Sequence, residues 1–197
     1  MRLTQFLNED VIDVSGFEPI VIAPGRFNPP HRGHQLMINR LVDLGRQLRA
    51  KPIVIIVDSG KYSEKNPLTG EVRLHYLQKM FPELGIDFVI AKNPYDAVAE
   101  LSEHRKVPIG GITGADRADS YKKMVGRIFG PEVEDRYQAE ILHRDPDAEE
   151  DIAGASATKA REAAANNNEA AFRAITGFEH RDAVDLMQQI RRGMGVE

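Results

Sequence analysis

Apolar residues in this chain fall into two alternating patterns: short runs, and longer stretches in which they recur every three or four positions. The runs at 20–23, 53–58, 87–90, 108–113 and 139–142 predict strands. Between the first two, Met37, Leu41, Leu44 and Leu48 share one helical face, and Pro52 helps end that helix. Further helices are predicted over 71–81, 95–103 and 116–129. Strands alternating with helices in this way form a parallel sheet in an α/β domain. The polar segment 61–70, interrupted by Pro67, predicts a mobile loop over the sheet edge.

Beyond Leu142 the pattern changes. Segment 143–151 is acidic, carries Pro146 and reads as a loop, and 156–167 is alanine-rich and helical. Two more helices complete the chain, and in the last of them Val184, Met187 and Ile190 share a face that predicts packing back on the domain. The expected organisation is an N-terminal extension over 1–18, one domain over 19–165 and a helical extension over 166–197. No internal repeat is visible.

With 197 residues, the chain is long enough for one domain with a real core and too short for two large ones. A net charge of −4 argues against broad attraction to nucleic acid or anionic membrane. Having no cysteine, the chain forms neither a disulfide framework nor a thiolate metal cluster. The first ten residues lack the apolar core of a signal peptide, and no apolar stretch is long enough to span a bilayer. These readings together predict a cytoplasmic protein.

The richest chemistry lies just after the first strand, in Gly25-Arg26-Phe27-Asn28-Pro29-Pro30-His31-Arg32-Gly33-His34. A turn from strand into helix aims backbone N–H groups and the helix dipole at one spot, which suits an anion. His31, His34 and Arg26 converge there, beyond the carboxyl end of a strand, where doubly wound sheets bind ligands. Read as metal ligands, the histidines lack a third partner nearby, so no protein metal site is assigned. Neither a dinucleotide-binding fingerprint nor a P-loop is present.

This segment resembles the signature of the nucleotidyltransferase superfamily that carries a His-x-Gly-His motif. Its Gly-Arg-Phe opening is most similar to archaeal-type nicotinamide mononucleotide adenylyltransferases and their bacterial and phage relatives. The resemblance makes His31 and His34 triphosphate contacts that stabilise the transition state, and Arg26 a further phosphate contact. Gly25 and Phe27 fall among the nucleotide-binding positions, and Gly33 lets backbone approach the nucleotide without a Cβ in the way.

Three later segments resemble the same superfamily. Asn66-Pro67-Leu68-Thr69 leads to Arg73, which the likeness assigns to the acceptor's phosphate; alternatively Thr69 caps a helix and Arg73 is solvated. Gly114-Ala115-Asp116-Arg117 follows the fourth strand and is similar to a nucleotide-binding Gly-x-Asp segment, though Asp116 can equally be a helix cap. Ser156-Ala157-Thr158-Lys159-Ala160-Arg161 resembles a Ser-x-Thr-x-x-Arg motif whose hydroxyls and N–H groups cradle phosphate while the arginine supplies charge-assisted bonds. Here too a serine-capped, alanine-rich helix is the plainer reading. The likeness covers 19–161. Asp151 and Ile152 stand where cytidylyltransferases carry an Arg-Thr lead-in, which favours ATP over CTP.

The resemblance implies a Rossmann-like doubly wound parallel sheet with a helical C-terminal extension. It further implies AMP transfer from ATP to a phosphomonoester, nicotinamide mononucleotide foremost, with Mg²⁺ held mainly by the triphosphate. Transfer to another phosphorylated small molecule, cytidylyl transfer included, is the first alternative. A non-catalytic nucleotide-binding domain is the second. Self-association is left open, and among Phe27, Tyr62 and Tyr95 no nicotinamide clamp is singled out.

Overall fold

A computed structural model describes residues 13–82, 84–142 and 156–196. The acidic loop over 143–151, the Asp151–Ile152 lead-in and most of the N-terminal extension therefore lie outside the described residues. The first half of the chain alternates β1 (Glu18–Gly25), α1 (Arg32–Leu48), β2 (Lys51–Val57), α2 (Gly70–Met80), β3 (Asp87–Ala91), α3 (Pro94–Glu103) and β4 (Lys106–Thr113). Then come α4 (Ala118–Phe129), α5 (Pro131–Arg136), β5 (Gln138–Ile141), α6 (Ala157–Ala165), α7 (Glu169–Thr176) and α8 (His180–Met194). All strand pairings are parallel, in the order β3-β2-β1-β4-β5. The chain builds outward from β1 to β3, then crosses back to place β4 on the other side of β1. That reversal opens a crevice beyond the carboxyl ends of β1 and β4.

Strand side chains alternate between two cores. Ile20, Ile22, Ile53 and Ile55 pack against α3 and α4, with Val98, Tyr121, Val125 and Phe129. Val21, Ala23, Val54 and Ile56 face the other way, onto Met37, Ile38, Leu41 and Leu44 of α1 and Leu77 of α2. Burial on both faces is why these strands read as unbroken apolar runs. A third cluster lies apart from the sheet, where Ala160, Ala163 and Ala164 of α6 meet Phe172, Leu186, Met187 and Ile190 of the last two helices. Leu68 and Tyr76 join it from the α2 side, so α6, α7 and α8 share one core. In α8 the buried stripe is Ala183, Leu186, Met187 and Ile190, while Val184 is only half-buried at its edge. No described helix is long and apolar enough to cross a membrane.

Candidate active site

The turn between β1 and α1 is shaped by Phe27. Its backbone is left-handed, with φ 51°, yet its ring is buried to 1% exposure, a conformation unusual for an aromatic residue. The inverted backbone swings the ring beneath Gly25, where a Cβ would lie 2.8 Å from two ring carbons. Glycine is needed there for that close approach. The ring also packs on His34, with centroids 4.7 Å apart, and His34 in turn packs on His31 at 3.7 Å.

The two histidines also begin α1. His31 is the N-cap, in extended backbone with φ −154°, and its Nδ1 accepts the Gly33 N–H at 3.1 Å. In return the His34 Nδ1 accepts the His31 N–H at 3.2 Å. This reciprocal cap uses imidazoles in the places usually held by a hydroxyl or carboxamide and a glutamate. With Nδ1 accepting in each ring, Nε2 is the nitrogen left to donate. Gly33 spends its N–H on His31 and is not among the residues lining the cavity described next.

That cavity, about 450 Å³, lies at the end of β1. Gly25, Arg26, Phe27 and Asn28 line one side of it, with His31 and His34 from α1. Ser156, Thr158 and Arg161 of the α6 start line another, and Lys65 completes it from the β2–α2 loop. Ser156 caps α6 by accepting the Lys159 N–H at 3.2 Å. Arg161 reaches across to donate to the Asn28 carbonyl at 2.7 Å and to the Thr158 hydroxyl at 3.1 Å. Burial pulls the Arg161 guanidinium below its ordinary range, and the neighbouring positive charge of Arg26 adds to the effect. A polyanion between the two would relieve both.

The helix starts point the same way. Every other described helix has a carboxylate in its first turn: Glu71, Asp96, Asp119, Glu132, Glu169 and Asp182 are examples. Only α1 and α6, whose N-termini meet at the cavity, have none. The positive ends of those two helix dipoles are left to act on whatever occupies the space between them.

The solvated alternative for Arg73 does not hold. The residue is fully buried, and its Nη1 donates to the carbonyls of Arg26 at 2.5 Å and Val57 at 2.9 Å. Its Nη2 lies 3.1 Å from the Asp58 carboxylate. Thr69 does cap α2, accepting the Val72 N–H at 3.4 Å. Arg73 thereby ties the β1 turn to the end of β2. Burial pushes the Asp58 carboxyl up, but the Gly60 and Gly70 N–H groups, Arg73 and the Tyr62 hydroxyl outweigh it and hold the carboxyl below 3.8. A carboxyl depressed on folding stabilises the protein above its unfolded value, and that stability is lost as pH falls. Asp58→Ala is expected to cost roughly 3 kcal/mol at pH 7, because it leaves the Arg73 charge buried without its partner. Urea titrations should also show that stability drops less between pH 5 and pH 3 in the variant than in wild type. An unchanged acid limb would remove Asp58 from that role.

Gly114, Asp116 and Arg117 stand at the end of β4, on the far side of the crevice, and do not line the histidine cavity. The Asp116 and Arg117 side chains are exposed and pair with each other at 3.5 Å. Asp116 is no helix cap: α4 starts at Ala118, its N-cap is Arg117, and no side chain bonds to its N-terminus.

Sequence reasoning missed Asn28. Its amide donates to the Leu68 carbonyl at 3.1 Å and to the Asn66 side chain, and its oxygen accepts the Leu68 N–H at 3.2 Å. Far from floating over the sheet edge, the second half of the 61–70 loop is thus fastened to the β1 turn, with Pro67 and Leu68 buried. Lys65 and Asp58 were missed as well.

Known proteins show the same outline. The nicotinamide-nucleotide adenylyltransferase of Aeropyrum pernix is 35% identical over 66 residues, which is 32% of this chain and 36% of that protein. The match thus spans about a third of the length of either one. Two structures of Plasmodium falciparum nicotinic acid mononucleotide adenylyltransferase, complexed with NaAD and with APC, superpose with TM-scores of 0.60 and 0.59. Each covers 91% of this chain and 98% of its own, at 14% and 13% identity, a likeness of fold. Residues 22–189 match the family described as cytidylyltransferase-like, extending well past Arg161 into α8. With most of its length matched, the chain belongs to the cytidylyltransferase-like family.

Proposed function

We propose that this chain is a nucleotidyltransferase that moves AMP from ATP to a phosphomonoester, nicotinamide mononucleotide foremost, giving NAD and pyrophosphate. The observation that carries the reading is the convergence on one cavity of His31, His34, Arg26 and Arg161 with two helix N-termini that lack first-turn acids. An acceptor phosphate oxygen attacks the α-phosphorus in line, a new P–O bond forms, and the bond to the β-phosphate breaks to release pyrophosphate. The acceptor phosphate is largely dianionic at pH 7, so no general base is required. Catalysis then rests on positioning and on donors aimed at developing charge. The Nε2–H groups of His31 and His34 face that charge, while Arg26, Arg161, Ser156 and Thr158 hold the leaving pyrophosphate.

Gly114, Asp116 and Arg117, across the crevice between β1 and β4, take the nucleoside half. Arg73 acts through the Arg26 carbonyl, positioning the turn that faces the acceptor phosphate. Mg²⁺ arrives on the triphosphate. With that metal bound through phosphate and water, Arg26, Lys65 and Arg161 meet the phosphate charge it leaves uncompensated.

The test is product analysis. Purified protein is incubated with Mg²⁺, ATP or CTP, and a panel of phosphomonoesters, while pyrophosphate is followed and products are identified by mass. NAD from ATP and nicotinamide mononucleotide, with CTP a poor substitute, is expected. Turnover of a different phosphomonoester alone would keep the reaction class and remove the named acceptor. Nucleotide binding without pyrophosphate release from any acceptor would make this a nucleotide-binding domain instead.

A further inference from the structure

The C-terminal helix belongs to the third core, and one of its residues presses on the loop fastened to the β1 turn. A Cβ built on Gly193 would overlap the Pro67 carbonyl oxygen and lie 2.8 Å from the Pro67 carbonyl and β carbons. The following residue, Leu68, is paired in both directions with the Asn28 side chain, and the Asn28 carbonyl accepts from Arg161. Contact therefore runs unbroken from Gly193 through Pro67, Leu68 and Asn28 to a guanidinium that lines the cavity.

We infer that Gly193 is a positioning residue for the phosphate site, and that α8 sets the height of the Asn66-Pro67-Leu68 loop and through it the placement of Arg161. The inference rests on the proposed nucleotidyl transfer. Its physical ground is that α8 cannot easily retreat. Tyr76 and Lys79 of α2 bond to Asp185 and Asp182 of α8, Gln189 donates to the Tyr76 hydroxyl at 3.3 Å, and Arg191 donates to the Ala165 carbonyl at 2.6 Å. With the helix tied to α2 and α6, an added methyl group at residue 193 displaces the loop.

Gly193→Ala tests this, because the change has opposite expected effects on helix and site. Alanine is the better helix former, so a role confined to α8 leaves thermal stability equal or higher and nucleotide handling unchanged. Displacing Arg161 instead lowers kcat/KM for the triphosphate roughly ten- to hundred-fold, with Kd for ATP raised by titration calorimetry. Gly195→Ala is the control. Gly195 has φ 69° and nothing within 4 Å of a built Cβ, so that change strains the same helix end without touching the loop. Weakened binding and turnover in Gly193→Ala, a lowered but still cooperative circular-dichroism melt, and near-wild-type kinetics in Gly195→Ala are expected. Equal losses in both variants, wild-type kinetics in Gly193→Ala, or failure of Gly193→Ala to fold would each overturn the inference, since the helix and not the loop would be yielding. If wild type itself binds no triphosphate, the proposed function falls, and this inference with it.

Discussion

Turnover is expected to fall by roughly two to three orders of magnitude when His34 is replaced by alanine, the loss that follows removal of one preorganised transition-state donor. The same substitution removes the acceptor for the His31 N–H and the ring between Phe27 and His31, so about 1 kcal/mol of stability should go as well. His34→Asn separates the two effects. A carboxamide offers an acceptor near the place of Nδ1 and nothing at Nε2, so it should restore the helix cap and leave turnover low. Steady-state kinetics beside urea titrations of both variants read this directly. Activity within a few-fold of wild type in His34→Ala would make the histidine pair structural only.

A second large effect is expected at Arg161. Two of its three donor nitrogens, Nη1 and Nη2, are held by Asn28 and Thr158, which fixes the plane of the guanidinium at the edge of the cavity. Pyrophosphate charge is present in the ground state and grows on departure, so Arg161→Ala should raise KM for the triphosphate and lower kcat together. A charge-assisted hydrogen bond contributes about 1.5–3 kcal/mol, which sets the loss in kcat/KM at roughly ten- to hundred-fold. Arg161→Lys should recover only part of it. One ammonium cannot bond Asn28, Thr158 and a phosphate from a single plane as the fork does. Full recovery by lysine would reduce the requirement to a simple charge, and an alanine variant with wild-type kinetics would return Arg161 to a structural part.

The strands that were legible in the sequence are those buried on both sides. Val21 and Ile22 point to opposite cores, and each core demands an apolar residue, so β1 leaves an unbroken run. Short α5 had no such signal: it spans six residues and buries only Val133. The histidine motif was legible because its members are local and share one turn. Asn28 was not, since its partners lie in a loop some forty positions on, and pairing at that separation leaves no local periodicity. Arg73 did leave a trace. It shares the inner face of α2 with Tyr76 and Leu77, a position that an arginine occupies only when its charge is met inside. Helical spacing alone places it in the core, where its charge calls for a carboxylate such as Asp58.

The third apolar cluster has a consequence for cooperativity. α6 and its cap supply one side of the cavity, but the buried alanines of α6 are packed by α7 and α8 and not by the sheet. Opening of that helical layer alone would carry off Ser156, Thr158 and Arg161 and leave the five strands paired. A ligand bridging α1 and α6 would hold the helical layer in place beside the sheet. By mass action it then favours the closed arrangement, making occupancy itself a source of order for the outer helices.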